Sequence, residues 1–189
     1  MKIDDLINNK FFNSTICRND DDLKLSHIKD FIEHIKETTN EECYNNIYVQ
    51  GLFCIKSGKF VCKDDTICDK FKIIMFDGSC IIIEYIDYDL KEDIDYYEKT
   101  ENRIELLLKG MSFKLNEAKI SYEDIEDMML DNVSDYNDYE LDAYKLVIHK
   151  KSGDNLVLNT SRIHYNIRED MNKFLFDLKE SFNDYSKRV

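Results

Sequence analysis

The chain predicts an α+β fold: an antiparallel sheet or partly open barrel of hairpins, with short N-terminal helices and a C-terminal amphipathic helix. Three observations carry that expectation. Apolar runs joined by glycine-containing turns recur through the middle of the sequence. The last segment repeats apolar residues at steps of three and four, and the first 42 residues hold two shorter stripes of the same kind. A single domain over 1–189 accommodates all of this, with a helical segment at 1–42, hairpins over 47–165 and a helix over 166–187. At 189 residues the chain is long enough to bury a proper core.

Taken in order, Ile3, Leu6, Ile7 and Phe11 lie at helical spacing, with Asp4 and Asp5 where a helix N-terminus favours acids. Asn13 to Asp22 is polar, ends in three aspartates and reads as a loop. Ser26 is a credible cap for a second helix carrying Ile28, Phe31, Ile32 and Ile35, which the polar run Thr38–Glu42 ends. His27 and His34 share a face of it, but no further ligand or base stands at a useful spacing.

From Tyr48 the period becomes strand-like. Tyr48–Ile55 and Lys59–Lys63 flank Ser57-Gly58, and Phe71–Phe76 and Ser79–Ile86 flank Asp77-Gly78, a strong hairpin signal because both turn residues tolerate positive φ. Arg103–Lys109 and Met111–Leu115 flank Gly110 as a third hairpin. Tyr144–Leu158 gives the fourth, turning at Ser152-Gly153-Asp154.

Two acidic connections separate the hairpins, at 87–101 and within 121–144, the latter without Lys or Arg. The stretch 126–142 reads as a long exposed connection, and Asp131, Asp135, Asp138, Glu140 and Asp142 in it are the candidate partner-binding residues. Asp135 to Asp142 superficially matches a calcium loop but lacks the turn glycine and the placed bidentate glutamate. The last helix carries Ile167, Met171, Phe174, Leu175, Leu178, Phe182 and Tyr185 as one stripe, with Asn166 as its cap and Glu169 and Asp170 in its first turn.

Composition bounds the function. The absence of Pro and Trp, with heavy use of Asn, Asp, Lys, Ile and Tyr, fits the codon bias of an AT-rich genome. A net charge of −13 repels phosphates and anionic headgroups, which argues against a nucleic-acid partner and toward a protein one, basic if the acidic stretch is used. No apolar run is long enough to span a membrane, and the N-terminus lacks the pattern of a signal peptide, so a cytoplasmic location is expected. The six cysteines, at 17, 43, 54, 62, 68 and 80, form no Cys-x-x-Cys pair. They are expected as free thiols, with Cys54 and Cys62 able to face each other across a hairpin. No nucleophile–base pair, phosphate loop, metal-ligand set or cofactor motif is present, so the expectation is a non-enzyme without cofactor.

The stretch Phe113-Lys-Leu-Asn-Glu-Ala-Lys-Ile-Ser-Tyr-Glu-Asp-Ile-Glu-Asp, followed by Tyr144-Lys-Leu-Val-Ile, Gly153-Asp-Asn-Leu-Val-Leu and the helix, resembles bacterial pleckstrin-homology-like (PH-like) domains over residues 104–185. There, a strand ending in a Tyr-x-Asp-Ile-type segment precedes a hairpin, and a C-terminal helix closes the barrel. This chain departs from that pattern in the acidic insertion at 126–142 and in the few strands between hairpin and helix. The resemblance implies a scaffold or protein-binding module and transfers no site. A second reading of the same composition is an immunity-type inhibitor that masks a cationic toxin with its acidic face.

Overall fold

The computed structural model describes residues 1–8, 21–50, 55–56, 59–60, 70–90, 111–133, 142–161, 163 and 165–188. Their elements are α1 (Ile3–Asn8), α2 (Asp21–Thr38), a 3-10 turn (Cys43–Asn45), β1 (Tyr48–Gln50), β2 (Ile55–Lys56), β3 (Lys59–Phe60), β4 (Lys70–Phe76), β5 (Cys80–Leu90), β6 (Met111–Ser121), a second 3-10 turn (Tyr122–Asp124), β7 (Ile125–Asn132), β8 (Tyr144–Lys150), β9 (Asn155–Asn159) and α3 (Tyr165–Ser186). The α+β class stands. The strands form two antiparallel sheets, β1-β4-β5-β6 and β7-β8-β9, with β2 and β3 as a separate pair, and the sheets do not close into a barrel.

The glycine-marked hairpins appear where turn chemistry dictates them. In β4–β5, Phe76 faces Ile81 and Asp77 bonds to Cys80 through the backbone, so the two loop residues are Gly78 and Ser79 rather than Asp77 and Gly78. Gly78 takes φ +85°, a conformation a side chain would strain, and the Asp77 carboxylate accepts bonds from the Ser79 N–H, the Ser79 hydroxyl and the Cys80 N–H. Gly153 does the same for β8–β9 at φ +91°. The β2–β3 pair matches the first expected hairpin, although its turn lies outside the described residues, and β1 pairs with β4 instead. The first arm of the third hairpin, 103–109, also lies outside them. Its second arm is the eleven-residue β6, whose described partner is β5.

Several boundaries move, each for a local reason. The second helix begins at Asp21, not Ser26, so Asp21 and Asp22, read as the end of a loop, begin the helix. The last helix begins at Tyr165, which puts Asn166 inside the first turn and Glu169 and Asp170 in the second. The acidic residues Asp87 and Asp89 belong to β5, which runs on to Leu90 because β6 pairs with it over its full length. Residues 125–132 are likewise a strand. Ile125, Met128 and Leu130 supply an apolar face across a β-bulge at Ile125/Asp127, and this outweighs the acidic composition.

The core explains how the sheets hold together. Ile73, Ile74 and Met75, consecutive in β4, are all fully buried, so the first sheet is covered on both faces. On one face Phe174 of α3 packs its ring 5.7 Å from Tyr48 and 5.5 Å from Phe76. On the other, Val49, Ile73 and Glu84 lie in register. Helix α3 touches β1 as well as β7 and β8, and its stripe of Ile167, Met171, Phe174, Leu175, Leu178 and Phe182 is buried as the spacing predicts. One continuous apolar cluster includes residues of both sheets, α1, α2 and α3.

Polar pins fix the arrangement. The buried Tyr48 hydroxyl donates to the Asn159 carbonyl at 3.0 Å and accepts the Asn159 N–H at 3.1 Å, which ties β1 to β9. The Tyr122 hydroxyl donates to Ser181 Oγ at 3.1 Å. The fully buried Thr160 accepts the Tyr144 N–H and donates to Asn172 Oδ1 of α3. Tyr48→Phe strips both Asn159 backbone groups of their partner, so we expect a loss of about 1–3 kcal/mol in urea denaturation. A loss below about half a kcal/mol would show that the bridge does not couple the sheets.

Candidate functional site

The structure distributes the five sequence-predicted acids rather than gathering them. Asp131 is exposed on β7, directly across from Lys145 of β8. Asp142 is exposed just before β8, and its carbonyl accepts a 2.7 Å bond from Asn172 Nδ2, which ties this entry to α3. Asp135, Asp138 and Glu140 lie outside the described residues. The expectation of a carboxylate stretch without counter-charge is corrected for its β7 part. The basic groups come from the neighbouring strand: Lys145 faces Asp131, and His149 Nδ1 pairs with Asp127. Strand pairing, invisible to a charge count along the chain, supplies them.

What the pairing does assemble is a patterned outer face on β7-β8-β9. Strand alternation turns Met128, Leu146, Ile148 and Leu158 inward to the core. It turns Met129, Val147 and Val157 outward, and the register places these three side by side across all three strands. Met129 is 50% exposed and Val157 39%. On one side of this apolar row run Asp127, His149 and Asn155, and on the other Asp131, Lys145 and Asn159. An apolar strip with charged borders is the composition of a small interface, with an apolar centre and a polar rim.

No family model, curated protein or solved structure matches this chain, so what the face does is argued from its own residues.

One buried group escaped the sequence reading. Glu84, at the centre of β5, is 1% exposed, and neither of its oxygens receives a hydrogen bond. Its cross-strand neighbours are Ile73 on β4 and Glu117 on β6. Burial first, and then Glu117, raise its pKa to about 7, while Lys119 pulls the other way. Lys119 is drawn instead to Glu117, 3.2 Å from Nζ to Oε1, at the exposed rim. Glu117, directly across the strand pair, thus favours the protonated form of Glu84. The signal was in the sequence: a single carboxylate inside the run Cys80-Ile-Ile-Ile-Glu-Tyr-Ile, in a strand apolar on both faces.

The remaining reactive groups are subdued. Burial, followed by Asp77, pushes the Cys80 thiol up to about 11, and burial raises Cys43 as well, so neither is a thiolate at neutral pH. Both are free thiols. The Cys54–Cys62 pairing falls outside the described residues. Among the described residues, no group of three or more His, Cys, Asp or Glu could hold a metal ion, and no helix is long and apolar enough to cross a membrane.

Proposed function

We propose that this chain is a non-catalytic protein-interaction module on a PH-like scaffold, docking another protein on the outer face of β7-β8-β9. The observation that carries this reading is the in-register outward row Met129–Val147–Val157 with its charged borders. Strand propensity alone favours the two valines but not Met129, the most exposed of the row, and removing such a row from water on docking is favourable. In favour of the PH-like scaffold stands the element order: β4-β5-β6, the Tyr122-Glu-Asp-Ile corner, the β7-β8-β9 meander, then a helix touching both sheets. The open sheets and the single hairpin between β7 and α3 are its departures.

The acidic-inhibitor reading draws less support. In the described part Asp131 stands across from Lys145 and Asp127 pairs with His149, so the argument for this reading is chiefly the net charge of −13. A basic partner remains compatible with the docking face.

The test is paired affinity capture from extracts of the source cells. The bait chains are wild type, the double variant Met129→Lys/Val157→Lys, and Glu37→Lys on the exposed side of α2 as control. A specific partner should be retained by wild type and the control and lost about tenfold or more by the double variant, since two desolvated contacts of this kind are worth ~1.4 kcal/mol or more. Equal retention by the double variant, with its thermal unfolding unchanged, would refute this face as the docking site.

A further inference from the structure

Glu84 has a role of its own to explain. An ionised carboxylate buried without a donor is costly, and here a second carboxylate, Glu117, stands directly across the strand pair. The groups facing Glu84 are few. Val49 of β1 and Ile73 and Met75 of β4 are apolar, and Cys80, on the same face of β5, is a neutral thiol. Among the described residues, the charges acting on Glu84 are those of Glu117 and Lys119, both from β6. Every charge that governs this group is therefore carried by the outer strand of the described sheet.

We propose that Glu84 and Glu117 form a proton-holding clasp: while one proton is shared between them β6 is fastened to β5, and when it is lost the two carboxylates push the outer strand away. With the proton in place, the pair makes one hydrogen bond and carries one negative charge, which Lys119 offsets from the rim. Without it, two negative charges face each other, one of them cut off from water, and the nearest relief is for β6 to lift and let water reach Glu84. Strand β6 leads through the Tyr122–Asp124 turn straight into β7, so lifting it loosens the first strand of the outward face. The direction of the pKa shift at Glu84 puts the loss of the proton near neutrality.

The experiment is amide hydrogen exchange of β5 and β6, corrected for intrinsic rates, on the intact chain at pH 5.5 and pH 8. In wild type the protection of Met111–Ser121 should fall about tenfold or more between the two, while β8 and β9 change little. Glu84→Gln, which cannot ionise, should abolish that difference. The carboxyl carbon of Glu84 in ¹³C-Glu-labelled wild type is the second measurement, and it needs no variant: it should titrate near neutral pH. Unchanged protection of β6 in wild type, an equal fall in Glu84→Gln, or a Glu84 carboxyl that titrates in the ordinary range would each overturn the clasp.

Discussion

Phe174→Ala should cost about 3–5 kcal/mol, the largest loss expected from any single truncation on α3. The ring is fully buried and meets Tyr48 and Phe76, so its removal opens a cavity against the first sheet and also forfeits two aromatic contacts. Leu175→Ala and Leu178→Ala, equally buried without ring partners, should cost ~2–5 kcal/mol each. Urea denaturation followed by far-UV circular dichroism gives the numbers. If α3 were a detachable helix, Phe174→Ala would leave the midpoint of the sheet transition where it was. The account expects one cooperative transition moved to lower urea.

The second large effect is pH dependence at Glu84. Its folded pKa of about 7 lies above the ordinary 4.5, so the folded chain holds the proton more tightly than the unfolded chain. The sign follows from proton linkage. Below about pH 4.5 both states are protonated and nothing is lost. As pH rises toward 7 the unfolded state ionises first and stability falls, and above about 7 the loss is complete. The displacement corresponds to about 3 kcal/mol, at ~1.4 kcal/mol for each tenfold change in proton affinity. Other carboxylates also titrate in this range, so the quantity to measure is the stability difference between Glu84→Gln and wild type. It should grow in favour of the variant by about 3 kcal/mol from pH 4.5 to 7.5. A flat difference would mean that Glu84 reaches water in the folded protein.

What sequence reading could and could not see divides along physical lines. Helical periodicity over 22 residues is redundant, which is why Ile167, Met171, Phe174, Leu175, Leu178 and Phe182 of α3 face the core as expected, while Phe176, off that stripe, is exposed. Gly78 and Gly153 marked their turns because backbone sterics at positive φ are local. Pairing between strands distant in sequence is not local, and the errors collect there. The acids of β7 read as a solvated loop because their counter-charges sit on β8. The strand was nevertheless encoded, in the alternation of Met128 and Leu130 against Met129 and Asp131. Met129, Val147 and Val157 carry no common signal until register sets them in one row. Glu84 was missed although its signal is local, a lone carboxylate in an apolar strand, whereas its cross-strand neighbour Glu117 comes only from the register.

The most direct measurement of the docking face is site-specific photo-crosslinking in living source cells. A photoreactive side chain would replace Val157, with the same group at Glu37 as control. Position 157 should yield one discrete adduct that disappears when Met129→Lys is added, and position 37 should not yield it. An adduct common to both positions, or crosslinking at 37 alone, would contradict the assignment of the β7-β8-β9 face.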